Sequence, residues 1–230
     1  MPVYPYDPAT AAALLDEAGW TVFKDGVRHK STGERLSLRL MTTAGNKIRE
    51  LVEQVLQSQW KKIGIDILIK NEPARVFFGE TVTKREFPAM AMYAWLSSPE
   101  SVPRSTLHSE MIPTLENNWA GQNAMGFVNA EMDALIEQTE TELDREVRRG
   151  LWQRMQQIYA GELPVLSLYF RAQAYILPLW LSGIEPTVHD IDTGRLKWSG
   201  QQVITMRVHI GQSAVGGIDH RDDHVALLTL

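Results

Sequence analysis

The sequence has no cysteine among its 230 residues, which excludes disulfide bridges, thiolate metal sites and cysteine nucleophiles. It also lacks an excess of positive charge, since 23 basic residues stand against 28 acidic ones for a net charge of −5. Nucleic-acid surfaces need clustered basic residues, so we expect no nucleic-acid partner. No apolar run approaches the roughly 18 residues that cross a bilayer. The 44% hydrophobic content instead indicates a globular protein with a sizeable core.

The spacing of apolar residues predicts a βαβ unit in the first third of the chain. Leucines alternate with polar residues over 36–41, which is typical of a strand with one buried face. Apolar residues recur at helical spacing over 47–63, and a second strand pattern follows Gly64 over 65–70. This order predicts two parallel strands with the helix packed across them in a right-handed crossover. The predicted fold class is therefore α/β.

The remaining elements are predicted from capping residues and apolar runs. Helices are expected over 8–18, after Asn129 and after Asp144, and buried strands over 89–95 and 163–170. Asp25-Gly26 predicts a hairpin within 20–30. Residues 97–128 are rich in Ser, Pro, Asn and Gly, and an irregular segment of this length is usually functional or mobile. Residues 199–230 show weak alternation and then a polar, glycine-rich stretch, which predicts either an edge strand with a tail or an unrelated extension.

Most candidate catalytic or metal-binding groups have a simpler structural explanation. The segment 42–47 lies between a strand and a helix but lacks the glycine spacing of a phosphate loop, so a helix cap explains it better. Ser97-Ser98 lacks the Gly-x-Ser-x-Gly elbow of a hydrolase nucleophile. Apart from His220 and His224, no histidines have ligand spacing. We therefore expect no catalytic residue, no metal and no cofactor, and we interpret the acidic residues of 131–144 as a solvated helix face.

Aromatic side chains at the predicted carboxyl ends of strands are the best candidates for a binding site. Tyr93 and Trp95 end one predicted strand, Tyr169 and Arg171 end another, and Trp119 lies in the irregular segment. Ligands of open α/β sheets bind beyond the carboxyl ends of the strands. Aromatic residues more often belong to a core, so spacing alone leaves both interpretations open.

Several motifs between about residues 4 and 198 occur in an order that is typical of one protein family. In chain order they are Tyr6-Asp7-Pro8, Glu17-Ala18-Gly19-Trp20, Gln59-Trp60-Lys61-Lys62-Ile63-Gly64-Ile65, Tyr93-Ala94-Trp95, Asn129-Ala130-Glu131-Met132-Asp133-Ala134-Leu135-Ile136 and Leu163-Pro164-Val165. This series resembles the C-terminal lobe of the family 5 extracellular solute-binding proteins. The family comprises the oligopeptide-, dipeptide- and nickel-binding proteins of bacterial ABC importers.

The resemblance implies a fold and a function. Residues 1–198 would form a truncated C-terminal lobe of the type II periplasmic-binding-protein fold, a mixed sheet flanked by helices, and 199–230 an extension. The whole protein would capture a peptide or other small solute in the periplasm and deliver it to ABC permease subunits, with a signal peptide on a preceding part. The alternatives are the solute-sensing domain of a regulator and, in a different class, a hydrolase. An apolar face exposed by truncation would favour self-association.

The resemblance also implies where the solute binds. The expected contacts are Tyr93, Trp95, Ser97, Ser98, Trp119, Tyr169 and Arg171. In peptide-binding relatives, the tryptophan that matches Trp95 is followed closely by an aspartate that meets the ligand's α-amino group, and Ser98 occupies that position here. A hydroxyl binds an ammonium group less strongly than a carboxylate does. We therefore expect a solute held by stacking and neutral polar contacts, or a peptide held by its backbone, unless Glu100 bends inward.

Overall fold

The computed structural model of the chain describes residues 2–95, 101–171 and 202–208. Its strands are β1 (Val22–Lys24), β2 (Val27–His29), β3 (Ser37–Met41), β4 (Asp66–Ile69), β5 (Met90–Trp95), β6 (Leu166–Arg171) and β7 (Gln202–Val208). Its helices are α1 (Pro8–Glu17), α2 (Lys47–Lys62), α3 (Ala74–Val76) with a π-helical continuation Phe77–Val82, α4 (Arg104–Leu107), α5 (Ala130–Thr141) and α6 (Arg145–Glu162). β1 and β2 form a hairpin, and the other strands form a mixed sheet in the order β4-β3-β5-β7-β6. None of the helices in these ranges has the length and apolarity needed to cross a membrane.

The βαβ unit predicted from the sequence is present. β3 and β4 are parallel, with Ser37 opposite Asp66 and Leu40 opposite Ile69. α2 connects them and is capped by Asn46, whose side chain accepts a hydrogen bond from the Arg49 backbone N–H. The segment 42–47 therefore contains a helix cap, as expected. β5 continues the parallel arrangement on the other side of β3.

Only part of the apolar stripe predicted for α2 is buried. Ile48, Leu51 and Val55 are 57%, 59% and 51% exposed, whereas Leu56 and Trp60 are buried. Glu53 lies on the buried side and is fully inaccessible. The apolar stripe in the sequence is broader than the face that the sheet covers, so part of it remains on the surface. Helical spacing alone did not show which side of this stripe packs.

β7 is an inner strand of the sheet, next to the edge strand β6. It is antiparallel to both β5 and β6 and separates these two strands. The expectation of an edge strand after residue 199 is therefore wrong for Gln202–Val208. Weak alternation did not distinguish an edge strand from an inner one, because both faces of an inner strand can be covered. A domain boundary near residue 198 remains a prediction.

The sheet has a packed core on each face, with successive residues of β5 pointing to opposite sides. On one face, Met90 and Met92 pack with α1 and α2. On the other face, Ala91 and Tyr93 pack with Phe77 of the π-helix. α5 and α6 form a third cluster around Met132, Ile136, Met155 and Ile158. The prediction of a mixed sheet flanked by helices is confirmed.

Arg28 fixes the hairpin to its neighbours. The hairpin turns at Asp25-Gly26, as predicted, where both residues have positive φ angles of 53° and 76°. The Arg28 side chain is buried; Nε donates to the Ile63 carbonyl at 2.7 Å, and Nη1 donates to the Trp20 carbonyl at 2.7 Å. Nη2 donates to the Ala12 carbonyl at 3.2 Å, and Asp16 provides an ion pair. One side chain thus links α1, the hairpin and the end of α2.

The acidic residues of α5 are mostly exposed, as expected for a solvated face, and three of them also bind neighbouring segments. The Asp133 carboxylate accepts hydrogen bonds from the Ser109 backbone N–H at 2.9 Å and from the Ser109 hydroxyl at 2.5 Å. Glu140 accepts from Arg104 Nε at 2.9 Å, and Glu131 pairs with Arg154 of α6. These bonds give the irregular segment after residue 101 a fixed position against α5.

Candidate ligand-binding site

The carboxyl ends of the three parallel strands are tied together by a polar network. The Asn71 side chain, just after β4, accepts a hydrogen bond from the Thr42 backbone N–H at 3.0 Å. The Thr42 hydroxyl, just after β3, donates to the Met92 carbonyl of β5 at 2.6 Å. Asn71 Nδ2 donates to Glu53 Oε2 of α2 at 2.7 Å. Because each group joins two elements, this edge of the sheet is held in a defined arrangement before any ligand arrives.

Glu53 is the electrostatically unusual member of this network. Burial raises the pKa of its carboxyl group to about 7. The Asn71 hydrogen bond lowers this pKa and the nearby Glu50 charge raises it, both by less than burial does. Its second oxygen, Oε1, is buried and has no hydrogen-bond partner in the described part of the chain. A buried carboxylate with an unmade hydrogen bond is costly, so the neutral acid is favoured over much of the acidic and neutral pH range.

An aromatic cluster lies on the opposite face of the same sheet edge. The Tyr93 ring, 1% exposed, is met edge-to-face by Phe77, Phe78 and Trp95, with ring centroids 6.0, 5.6 and 6.1 Å away. Phe78 is 37% exposed and Trp95 is half-buried. The two outer rings therefore offer apolar surface to a ligand, while Tyr93 supports them from below.

The π-helix explains how neighbouring residues reach the same ring. Phe77 and Phe78 are adjacent in the chain, and their own rings pack edge-to-face at 5.1 Å. A π-helix has more residues per turn than an α-helix, so consecutive side chains diverge less and both can contact Tyr93. π-helical turns occur frequently at functional sites.

The sequence-predicted contact residues have different positions. Tyr93 and Trp95 come together in the aromatic cluster, with Tyr93 as a buried support. Tyr169 packs against the core on the α1 and α2 side of the sheet. Trp119 is half-buried in a turn, where its backbone N–H donates to the Thr114 carbonyl at 2.7 Å. Arg171 ends β6.

The loop directly after Trp95 cannot be placed in the site. Ser97 and Ser98 lie outside the described residues, as do Glu100, His220 and His224. Their predicted roles therefore remain predictions. Within the described ranges, no group of three His, Asp or Glu side chains is arranged to hold a metal ion.

Sequence reasoning missed three of the groups that define this edge. The sequence did contain a sign of an aromatic cluster at Phe78, because two adjacent phenylalanines precede Gly79. Glu53 also carried one, since it is three residues before Leu56 and seven before Trp60 and thus on their face of α2. Asn71 carried none, because a single asparagine after a strand is usual for a turn.

Comparison with known proteins defines the class. Residues 1–110 match the bacterial extracellular solute-binding proteins, family 5 Middle. The chain is 30% identical over 185 residues to the oligopeptide-binding protein AppA of Bacillus subtilis. The aligned region covers 80% of this chain and 33% of AppA. A second relative, the dipeptide-binding protein DppE of Bacillus subtilis, is 22% identical over 180 residues, or 77% of this chain and 31% of DppE.

Solved structures of oligopeptide-binding proteins also superimpose on this chain. The oligopeptide-binding protein of Thermus thermophilus, complexed with a pentapeptide, superimposes with a TM-score of 0.66 at 35% identity, covering 71% of this chain and 29% of that one. AppA in complex with a nonapeptide gives a TM-score of 0.61 at 28% identity, covering 70% and 31%. The superimposed part of the chain has the fold of these oligopeptide-binding proteins. The family 5 model matches just under half of the chain, and the chain spans about one third of the length of the relatives that it matches.

Proposed function

We propose that the protein carrying this chain is the substrate-binding component of an ABC-type importer. It captures a peptide or another small solute outside the inner membrane and delivers it to the permease subunits. The observation that carries this proposal is that two partly exposed rings, Phe78 of the π-helix and Trp95 at the carboxyl end of β5, both pack on Tyr93 in a chain similar to oligopeptide-binding proteins. The matched relatives are named as binding proteins, and binding without turnover is the function that we assign.

This chain forms one wall of the proposed binding site. Trp95 and Phe78 stack on the solute, and Ser97 and Ser98 supply neutral hydrogen bonds from the following loop. Trp119, Tyr169 and Arg171 remain secondary candidates for contact. The facing wall belongs to a second lobe encoded elsewhere in the full-length protein, together with the signal peptide that directs export to the periplasm. A ligand enclosed between two lobes has most of its surface buried, so this segment alone should bind weakly.

The exposed apolar side chains of α2 predict self-association of the isolated segment. Ile48, Leu51 and Val55 lie one helical turn apart and are each more than half exposed. Such a surface favours self-association when this segment is isolated from the rest of the protein. We keep this as a prediction, to be checked by light scattering of the isolated segment and the full-length protein at matched concentrations.

The test is made on the full-length protein. Mass spectrometry of the purified protein identifies the co-purifying solute, and calorimetry then measures its affinity for the wild type, Trp95→Ala, Phe78→Ala and the surface control Tyr6→Ala. Loss of a stacking aromatic residue should weaken binding roughly tenfold to a hundredfold, as for other aromatic anchors, while Tyr6→Ala should have no effect. Unchanged affinity in both site variants would show that the solute binds elsewhere.

A further inference from the structure

Glu53 is a fully buried acid on α2, and in the described part of the chain only one of its two oxygens has a hydrogen-bond partner. Oε2 accepts a hydrogen bond from Asn71 Nδ2 at 2.7 Å, whereas Oε1 is buried without a partner. A proton on Oε1 lowers the cost of this arrangement, because a neutral hydroxyl is less costly to bury than a charged oxygen. Glu53 therefore occupies its present position as the neutral acid.

The charged groups of α2 and of the elements packed against it have partners of their own. These are Arg49 with Thr43, Glu50 with Lys47 and the Gly45 N–H, Asp66 with Arg35, Glu72 with Lys70 and Thr81, and Asp16 of α1 with Arg28. Burial, together with the Glu50 charge, holds the pKa of Glu53 at about 7, although the Asn71 hydrogen bond lowers it. The carboxyl group therefore loses its proton as the pH rises through neutrality.

A line of hydrogen bonds leads from Glu53 to β5. Asn71, which donates to Glu53, also accepts a hydrogen bond from the Thr42 N–H at 3.0 Å through Oδ1. The Thr42 hydroxyl then donates to the Met92 carbonyl at 2.6 Å. Thr42 is fully buried, so bulk water does not replace these bonds. A change at Glu53 thus reaches β5 through two side chains.

The Thr42 hydroxyl holds β5 beyond the point where its ladder with β3 has ended. The last pair of that ladder is Met41 opposite Ala91, whereas β5 continues to Trp95. β7 pairs with β5 along its other side as far as Trp95. The distance between the end of β5 and the end of β3 therefore depends on the Thr42 hydrogen bond.

We propose that Glu53 is a positioning residue for the wall that carries Trp95, and that loss of its proton weakens solute binding. This role rests on the proposed function, in which Trp95 faces the solute. An ionised Glu53 needs further donors or water at Oε1, which draws the carboxylate away from its contact with Asn71. The Thr42 bonds then lose their support, and the affinity falls as the pH rises. If the ionised form does not bind at all, the fall between about pH 6 and 8 approaches tenfold.

The first experiment detects the surroundings of Trp95 without a ligand. The full-length protein is labelled with 5-fluorotryptophan, and the fluorine NMR signal of Trp95 is assigned by its loss in Trp95→Phe. In the wild type this signal should shift with a midpoint near pH 7. In Glu53→Gln it should keep its acid position throughout, and in Glu50→Gln, the control one turn away, it should titrate as in the wild type. A constant Trp95 signal in the wild type, or a titration that persists in Glu53→Gln, would overturn the proposal.

Variants of Thr42 test the route between Glu53 and β5. Thr42→Val removes the hydroxyl and keeps the shape, so the Trp95 signal should no longer follow the pH. Thr42→Ser keeps the hydroxyl and should restore the titration. Circular dichroism verifies that each variant is folded. A titration of Trp95 in Thr42→Val equal to that of the wild type would show that the signal does not pass through Thr42, against the proposal.

Calorimetry with pentaalanine as the probe relates the wall to binding. Between about pH 6 and 8 the wild type should lose severalfold more affinity than Glu53→Gln, since titration of the peptide itself affects both proteins equally. An equal loss in the two proteins would overturn the effect on binding. A Trp95 signal that titrates with Glu53, combined with unchanged pentaalanine affinity in Trp95→Ala, would instead overturn the proposed aromatic site and leave the link between Glu53 and β5 standing.

Discussion

Replacing Glu53 by glutamine should change how the stability of the protein depends on pH. In the folded protein the pKa of this carboxyl group is about 7, against an ordinary value of 4.5. Between these values the native state holds a proton that the unfolded chain has released, so the unfolding free energy of the wild type falls as the pH rises. The fall amounts to roughly 3 kcal/mol and is complete slightly above pH 7. Glutamine keeps the shape and the contact with Asn71 but does not ionise.

The assay is denaturant unfolding of the full-length wild type and Glu53→Gln between pH 4.5 and 8. The stability of the variant relative to the wild type should increase by roughly 3 kcal/mol across this range. Glu50→Gln is the control one turn away, because hydrogen bonds to Lys47 and Gly45 lower the pKa of Glu50, and its loss should be neutral or slightly destabilising at pH 8. Parallel pH profiles for the wild type and Glu53→Gln would refute the argument.

Three further substitutions test the packing. Arg28→Met leaves three backbone carbonyls without their donor and should lower the unfolding free energy by about 3 kcal/mol; a loss below about 1 kcal/mol would contradict the anchoring role. Asn123→Ala should cost about 2 kcal/mol and speed hydrogen exchange at the Phe127 amide, whereas unchanged exchange would show that the loop is held otherwise. Leu56→Ala should cost about 2–5 kcal/mol and Leu51→Ala less than about 0.5 kcal/mol, and equal losses would mean that the orientation of α2 is wrong.

Local sequence signals predicted the elements whose partners are close in the chain. The βαβ unit, the hairpin at Asp25-Gly26 and the helices capped by Asn129 and Asp144 each depend on residues within a short window. Caps, turns and apolar periodicity act over such windows, so these predictions are confirmed. The resemblance to a known family added the class of protein, which spacing alone had left open.

Features that depend on tertiary contacts could not be predicted in this way. The insertion of β7 between β5 and β6 is decided by pairing with strands far away in sequence. The burial of Glu53 depends on which side of α2 meets the sheet, and the apolar stripe was too broad to decide it. The contribution of Phe78 depends on a π-helix, for which the sequence offers no reliable signal. Trp95 contacts Tyr93 of its own strand, whereas the other rings on Tyr93, Phe77 and Phe78, come from another element.

The position of β7 between β5 and β6 affects the order in which the sheet can form on the ribosome. The parallel strands β4, β3 and β5 are synthesised early and can pair as they emerge. β6 appears later and, within the described ranges, contacts the sheet through β7. Until β7 has left the exit tunnel, the side of β5 that it will cover carries unpaired backbone groups. A nascent chain at this stage therefore presents an open strand edge, with which another extended segment can pair.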